Sequence, residues 1–378
     1  MKTISFLKRM TAKDTVAGYL LMSCAGLSLL LANLSGTSGW SGFWQRTLAN
    51  HSIADWINDG LMAVFFLLVG LELKQELMFG QLKDKRQSLL PVMAALGGML
   101  IPALFYISTT YGTGLEHGFG IPMSTDIAFV ITLLALLGPR VPVSLKIFLT
   151  ALAVIDDIGA VVVIAIFYTS TISAFYIFAT VMLFAFLLWL NWYVQVRKLS
   201  VYLVIGIFLW FCVLQSGIHA SVSGILLALT IPILDGAPSS PARRLQHRLH
   251  VPVYFLILPL FVLANTAITI TGMKGGGLLS QLHVVGICTG LILGKGIGIT
   301  LGAVFSVGFG WSVLPADLRW RHIIGGALLG GIGFTMAIFI ATLAFDSAQL
   351  VDSAKLAILA SSCVAAIAGS LVLTIKPK

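Results

Sequence analysis

Charged residues are scarce in this sequence. Asp, Glu, Lys and Arg make up 10% of its 378 residues, whereas soluble chains contain roughly 25%. Hydrophobic residues make up 58%, which leaves too little polar surface to cover a globule of this size. The composition therefore excludes a water-soluble protein and indicates a polytopic membrane protein.

Cysteine is scarce as well, and the four cysteines lie far apart in apolar segments: Cys24, Cys212, Cys288 and Cys363. Their spacing matches neither a zinc knuckle nor a redox pair, so we interpret them as packing residues. The first apolar run is not followed by a signal-peptide cleavage site, which predicts a retained first helix. The formal charge of +9 comes from short basic clusters between apolar runs, and this pattern argues against a nucleic-acid partner.

Apolar runs of about 20 residues, the length that crosses a bilayer as a helix, predict twelve spans. They lie at 15–34, 57–79, 89–109, 120–138, 143–168, 172–193, 200–215, 217–235, 250–271, 282–309, 322–344 and 354–375. The connections are mostly short, and the stretch 236–250 is interpreted as the longest cytoplasmic turn. The sequence thus predicts an all-α membrane protein in which residues 1–378 form one polytopic domain.

The distribution of basic residues predicts the orientation of these spans. With an even number of spans both termini lie on one side, and 19 of the 23 Lys and Arg residues fall on that side. Arg46, Lys274 and Lys355 fall on the other side, and Lys295 lies inside the tenth span. Because basic loops stay in the cytoplasm, both termini are predicted to be cytoplasmic.

Four ionisable residues remain at membrane depth: Asp126, Asp156, Asp157 and Lys295. Each costs about 2.5 to 3.5 kcal/mol at the centre of a helix on insertion scales, or about 10 to 14 kcal/mol together. A buried Lys–Asp pair could merely hold helices in register. That explanation does not suit two adjacent aspartates, which repel each other and gain no stability from their proximity. These charges therefore predict an ion-binding site in the membrane.

The adjacent pair Asp156–Asp157 suits exchange of protons and a hard cation. Consecutive helical side chains point about 100° apart, so the two carboxylates can do different jobs. Burial and mutual repulsion both favour the protonated form. Once deprotonated, the same oxygens are ligands for a hard cation such as sodium.

Two spans carry signs of an interrupted helix. The fourth contains Pro122-Met123-Ser124-Thr125-Asp126, and the eleventh contains Gly330-Gly331-Ile332-Gly333-Phe334-Thr335. Interruptions at corresponding positions of two halves are typical of transporters with inverted repeats, here spans three to five and ten to twelve. Asp126 could neutralise the positive ends of the half-helices and Lys295 the negative ends. Lys295 could equally form an ion pair with Asp156 or Asp157, and both roles could be used in turn.

Other ionisable residues are less informative. His247 and His250 flank Arg248 in the predicted turn, where they are either solvated or sense pH. His219 begins the eighth span, where packing is the simpler role. Glu72 and Glu76 lie one turn apart at the cytoplasmic end of the second span, and a solvated helix end explains them.

Together these motifs resemble the NhaA family of sodium/proton antiporters, for which inverted repeats are a known architecture. The resemblance extends over nearly the whole chain. The residues that carry it are Thr125-Asp126, Ile155-Asp156-Asp157, Leu293-Gly294-Lys295, Trp56-Ile57-Asn58-Asp59 and Phe65-Phe66-Leu67-Leu68-Val69-Gly70-Leu71-Glu72.

The resemblance implies an electrogenic antiporter of the bacterial inner membrane that exchanges sodium or lithium for more than one proton, without a cofactor. It implies that Asp157 is the main cation ligand beside Asp156, that Lys295 pairs with Asp156 and carries a proton, and that Thr125 and Asp126 support the crossed chains. Residues implied in the pH response are Glu72, Glu76, His247 and His250, with His219 as a further candidate. Gln246 replaces an acid that the family often has, which bears on the pH set point.

The resemblance also implies that the core bundle comprises about 89–168 and 282–375, with the remaining helices forming an interface bundle in contact with lipid. The outer loop at about 36–55 resembles the family's dimerising hairpin, so a homodimer is expected. The alternatives are a sodium- or proton-coupled solute symporter, a membrane enzyme with paired aspartates and a channel. This sequence lacks the extra polar residues that a symporter would need to bind a solute. It also lacks the further acid after Asp157, or the G-x-G-D motif, that such an enzyme would need. In a channel, an ion pair at the narrowest point would block conduction.

Overall fold

The computed structural model describes residues 2–34, 38–48, 51–80, 85–138, 141–169, 172–234, 240–269 and 280–375, with the side chains of 2–14, 38 and 85–87 excluded. Several basic residues used to predict the orientation lie outside the described residues, namely Lys83, Arg140, Lys274, Lys376 and Lys378.

The described chain is built almost entirely from helices. In order they are α1 (Lys2–Asn33), α2 (Ser38–Trp44), α3 (Ile53–Asp55), α4 (Met62–Phe79), α5 (Lys85–Thr110), α6 (Ile127–Leu137), α7 (Val143–Phe167), α8 (Ala174–Trp192), α9 (Leu199–Ser216), α10 (Val222–Thr230), α11 (Pro241–Pro252), α12 (Leu258–Asn265), α13 (Leu282–Thr289), α14 (Lys295–Gly308), α15 (Trp320–Leu329), α16 (Phe334–Ala344) and α17 (Ala348–Thr374). Three π-helical turns (Trp56–Leu61, Val253–Ile257 and Gly290–Gly294) join α3 to α4, α11 to α12 and α13 to α14, and a 3₁₀ helix (Glu116–Met123) precedes α6.

Ten of the described helical segments are long and apolar enough to cross a membrane, or eleven if α15 and α16, which meet at 46°, count as one span. The protein is therefore a multi-pass membrane protein. The difference from twelve lies at the predicted span 217–235, where α10 has only nine residues, fewer than the roughly 17 that a spanning helix needs. The count of twelve stays a prediction.

The interpretation of 236–250 as a turn was wrong for its second half. Residues 235–239 lie outside the described residues, but α11 begins at Pro241 and continues through a π-helical turn into α12. The Ser240 hydroxyl accepts a hydrogen bond from the Arg243 N–H, and Pro241 occupies the first turn. Serine as the N-cap followed by proline is a helix start, because an N–H in the first turn has no acceptor within the helix and proline has no N–H to satisfy.

The loop after α1, which is predicted to be on the outer side, contains a short helix and a short hairpin. Helix α2 packs Trp40 and Trp44 edge to face, with ring centroids 5.4 Å apart. Strands β1 (Thr47–Leu48) and β2 (His51–Ser52) then pair antiparallel. Residues 35–37 and 49–50 of this loop lie outside the described residues.

Helices α5 and α14, which belong to the third and tenth predicted spans, cross with their backbones in close approach. A Cβ at Gly97 would overlap the carbonyl oxygen of Gly298, and a Cβ at Gly298 would overlap the carbonyl oxygen of Gly97. A Cβ at Gly302 would likewise overlap the backbone of Met93. Glycine at these positions therefore serves tight helix packing, and this packing brings Lys295 at the start of α14 into the core, where it is 0% exposed.

Candidate functional site

Two non-helical stretches of the fourth and eleventh predicted spans lie against each other in the interior. Ser124, Thr125 and Asp126 separate the 3₁₀ helix from α6, and all three are buried. The Asp126 N–H donates a hydrogen bond to the carbonyl oxygen of Ile332, between α15 and α16, at 2.7 Å. A backbone hydrogen bond thus joins the two stretches.

The Asp126 carboxylate caps two helix N-termini at once. Its Oδ1 accepts hydrogen bonds from the N–H groups of Ala128 (3.1 Å) and Phe129 (3.4 Å) at the start of α6. Its Oδ2 accepts from the N–H (3.1 Å) and the hydroxyl (2.5 Å) of Thr335 at the start of α16. A negative carboxylate stabilises the partial positive charge of both helix ends. Sequence reasoning did not select Thr335, whose only signal was a hydroxyl directly after a glycine-interrupted run.

The Thr125 hydroxyl connects this crossing to the aspartate pair. Its Oγ1 lies 2.8 Å from Asp156 Oδ2 and 2.8 Å from the carbonyl oxygen of Gly330 at the end of α15. Since a hydroxyl carries one proton, Thr125 donates to one of these acceptors at a time. The charge on Asp156 is therefore coupled to the C-terminal end of α15.

Asp156 and Lys295 form an ion pair in the interior. Lys295 Nζ lies 2.5 Å from Asp156 Oδ2, and both side chains are 0% exposed. The same Asp156 oxygen accepts from Thr125, whereas Asp156 Oδ1 is buried without a hydrogen-bond partner among the described residues. Two charges removed from water in this way depend on each other for compensation.

Asp157 lies next to this pair and is 4% exposed. Its Oδ1 is also buried without a hydrogen-bond partner in the described part of the chain. A buried oxygen of this kind carries a desolvation penalty unless a proton or a cation meets it. Asp156 and Asp157 therefore each offer one oxygen that can take either. Across the described ranges no group of three or more His, Cys, Asp or Glu side chains is arranged to hold a metal ion.

The π-helical turn Gly290–Gly294 sets the position of Lys295. The Lys295 N–H donates to the carbonyl oxygen of Gly290 across this turn. A Cβ at Gly294 would lie 2.8 Å from Pro102 Cα, and one at Gly290 would lie 2.7 Å from Pro122 Cβ. Only glycine allows this approach, so the turn is wedged between α5 and the 3₁₀ helix, and Lys295 follows directly from it.

The N-terminal end of helix α7, which carries both aspartates, contacts the loop before α15. The Ser144 N–H in the first turn of α7 donates to Asp317 at 3.4 Å. Hydrogen bonding from Ser144 holds the pKa of the Asp317 carboxyl below its usual value, because these bonds favour the charged form.

Comparison with known proteins identifies the family. Residues 8–373 match the family model described as Na+/H+ antiporter 1. The chain belongs to this sodium/proton antiporter family. The family that the motifs predicted is thereby confirmed.

Similar proteins with the NhaA name cover nearly the whole antiporter-family chain. Na(+)/H(+) antiporter NhaA 1 of Flavobacterium johnsoniae is 47% identical over 369 residues, which cover 98% of this chain and 96% of that protein. Na(+)/H(+) antiporter NhaA of Dechloromonas aromatica is 49% identical over 357 residues, with 94% and 92% covered. The relative from Salmonella typhimurium is 44% identical over 375 residues, with 96% of each covered.

The fold also resembles a solved antiporter structure. The sodium proton antiporter MjNhaP1 from Methanocaldococcus jannaschii superimposes with a TM-score of 0.58 over 99% of both chains. Only 15% of the aligned residues are identical, so this likeness supports the fold alone.

His219 of this antiporter-family chain lies apart from the other residues implied in the pH response. Its Nε2 lies 3.1 Å from Asp59 Oδ1, and its Nδ1 lies 2.9 Å from Ser221 Oγ. The His219 ring also packs against Phe339 of α16, with centroids 5.3 Å apart. Asp59 precedes Glu72 by 13 residues along one continuous helix, a rise of about 20 Å.

The other four residues lie on two helices at the opposite end of α4. Glu72 and Glu76 are half-buried on α4, whereas on α11 His247 is exposed and His250 is half-buried. The Arg243 guanidinium lies 4.8 Å from the Phe79 ring centroid and so attaches α11 to the end of α4. The structure thus divides the five residues between two regions, and their roles stay predictions.

Proposed function

We propose that the chain is a secondary active transporter that exchanges sodium or lithium for protons across the bacterial inner membrane, giving sodium efflux and pH homeostasis. The observation that carries this proposal is the buried ion pair of Lys295 with Asp156 beside Asp157. Each carboxylate keeps one buried oxygen without a hydrogen-bond partner among the described residues. Membership of a sodium/proton antiporter family supports the same function.

Protons and the cation compete for the same oxygens in this proposal. In the proton-loaded state Asp157 carries a proton and Lys295 is charged and paired with Asp156. An arriving sodium ion takes oxygens of Asp157 and Asp156 as hard ligands, which displaces the proton of Asp157 and removes the anionic partner of Lys295. The Lys295 ammonium then loses its compensation and releases its proton, since an unpaired buried charge is strongly disfavoured.

The charge balance of this cycle makes exchange electrogenic. Two groups, Asp157 and Lys295, give up a proton for one bound cation, so each full cycle moves one net charge. The membrane potential therefore becomes a driving force, at about 2.3 kcal/mol per charge for each 100 mV.

Alternating access is proposed to come from a core bundle of about 89–168 and 282–375 that moves against the remaining helices. Two contacts between the spans of the two triplets support two inverted repeats within twelve spans, with the fourth and eleventh spans interrupted. Helix α5 meets α14 at Gly97 and Gly298, and the non-helical stretches meet at Asp126 and Ile332. Two of the three spans in one triplet thus contact their counterparts in the other, as an inverted repeat requires.

The remaining assignments are also proposals. Both termini are cytoplasmic, in line with the basic residues of the loops. The outer loop at 36–55 forms a homodimer contact through the hairpin of β1 and β2. The transported ions are substrates, and no resident cofactor is involved.

Asp157→Asn tests the proposed function most simply. In everted vesicles we expect this change to abolish sodium-dependent proton release, because an amide neither carries the proton nor provides an anionic ligand. Asp352→Asn, a half-buried acid on α17, is the matched control and is expected to retain exchange. Sodium-dependent proton release that persists in Asp157→Asn would contradict the proposal. If proton release required an added organic solute, the result would indicate a symporter.

A further inference from the structure

The N-terminus of α16 faces the interior, where its first backbone N–H groups need acceptors from outside the helix. The first N–H groups of any helix have no acceptor within it, and water is the usual alternative. Phe334 and Thr335 begin α16 and are 3% exposed. Thr335 donates its N–H to Asp126, which leaves the N–H of Phe334 to be accounted for.

Ser362 of α17 accepts this hydrogen bond. The Phe334 N–H donates to Ser362 Oγ at 3.4 Å, and Ser362 is 6% exposed. The Phe334 side chain meanwhile packs on Phe129 of α6, with ring centroids 4.5 Å apart. The start of α16 is thus held from two sides, by Asp126 and Phe129 of the fourth predicted span and by Ser362 of the twelfth.

The close approach of α17 explains why a short side chain lies at this point. A Cβ at Gly369 would lie 2.9 Å from the carbonyl oxygen of Gly325, and a Cβ at Gly331 would lie 3.2 Å from Ala365 Cβ. Ser362 is one turn from Ala365 along α17. At such a helix separation a hydroxyl on a single carbon reaches the N–H of Phe334, as small polar residues do between membrane helices.

We propose that Ser362 is a positioning residue for cation exchange. With Asp126 it neutralises the positive end of α16, and it thereby keeps the electrostatic potential beside Asp156 and Asp157 favourable for a cation. Thr125 connects the two regions, since it lies in the same non-helical stretch as Asp126 and contacts Asp156. Without the Ser362 oxygen the unpaired N–H of Phe334 leaves partial positive charge at the start of α16 without compensation. The inference rests on the proposed exchange function.

The test compares three replacements of Ser362 by sodium-driven proton flux in proteoliposomes, normalised to folded protein. Ser362→Ala and Ser362→Cys are expected to raise the apparent KM for sodium about two- to tenfold, the effect of one lost hydrogen bond. Cysteine conserves the volume but accepts hydrogen bonds weakly. Ser362→Thr keeps the hydroxyl and is expected to retain the wild-type KM.

Ser361→Ala is the matched control. Ser361 is the adjacent residue, is 1% exposed and makes no hydrogen bond among the described residues, so its removal should leave the KM unchanged. A purely structural role of Ser362 would lower the maximal rate or the yield of folded protein and leave the KM alone, and that result overturns the inference. The inference is also overturned if Ser361→Ala raises the apparent KM for sodium as much as Ser362→Ala does. Wild-type protein without sodium-dependent flux would instead reject the proposed function itself.

Discussion

Asp156 divides its two carboxylate oxygens between different tasks. Oδ2 accepts hydrogen bonds from Lys295 and Thr125, whereas Oδ1 has no partner in the described part of the chain. Neither member of the ion pair is exposed, so each charge relies on the other for compensation. Loss of one partner should therefore harm the fold more than loss of both.

Lys295→Met tests this dependence. The change leaves Asp156 as an uncompensated buried charge and is expected to destabilise the fold by about 3 to 5 kcal/mol. The double variant Lys295→Met with Asp156→Asn removes both charges and should recover most of that loss. Thermal unfolding of the purified protein measures the stability of both variants. It is done at alkaline pH, because protonation of Asp156 then removes least of its uncompensated charge. A double variant no more stable than Lys295→Met would contradict the account.

The sequence selected the charged residues of the candidate site and Thr125, but not the other uncharged residues that contact them. The sequence distinguishes the four charged residues because a charge at membrane depth is costly; they are Asp126, Asp156, Asp157 and Lys295. The residues alone left the partner of Lys295 open, because the direction of its side chain depends on a π-helical turn that has no clear sequence signal, and only the family resemblance implied Asp156. Residues such as Thr335 and Ser362 were missed, since single hydroxyls occur in many apolar helices and become informative only through their contacts.

At the scale of helices, the crossing of α5 and α14 sets the depth of the site. Gly97 and Gly298 bring the two backbones together, and Lys295 begins α14 one turn earlier. The contact is between backbones, so no side-chain rotamer can relieve an added methyl group. Any separation of the two helices would draw Lys295 away from Asp156.

Gly298→Ala is expected to destabilise the protein by about 1 to 3 kcal/mol, as overpacking does, and to slow exchange. A Cβ at this position would lie 2.8 Å from the carbonyl carbon of Gly97. Gly308→Ala on the same helix meets nothing within 4 Å and should be neutral or slightly stabilising, because alanine favours helix. The measurements are thermal unfolding and sodium/proton exchange in vesicles for both variants. Equal stability and equal exchange rates for Gly298→Ala and Gly308→Ala would contradict the close packing of α5 on α14.

The long helices were predicted well and the short ones were not. The predicted spans 143–168 and 172–193 match α7 (Val143–Phe167) and α8 (Ala174–Trp192) closely, because long apolar runs have few alternatives in a membrane. Helix α10 was predicted too long because the apolar run continues to Leu234, whereas Pro232 ends the helix at Thr230. Helix α11 was missed because Pro241 was taken as a turn residue, whereas beside Ser240 it begins a helix.

At the scale of the whole molecule, the few charged residues separate into two groups. Basic residues cluster in loops on one predicted side, and the buried charges converge where the fourth, fifth, tenth and eleventh predicted spans meet. The family membership shows a sodium/proton antiporter family, and the fold likeness agrees with it. Two interrupted runs in the sequence predict an inverted repeat, which stays a prediction, and the number of spans depends on how short and bent helices are counted.

We propose that one cation and more than one proton exchange at Asp156, Asp157 and Lys295. Sodium-driven proton flux in proteoliposomes, with the membrane potential clamped and unclamped and with no organic solute, tests it most directly. We predict flux without solute that is faster when the potential is clamped, because unclamped exchange builds an opposing potential. Equal rates under both conditions would contradict electrogenic exchange, and flux that appears only with an added solute would contradict antiport.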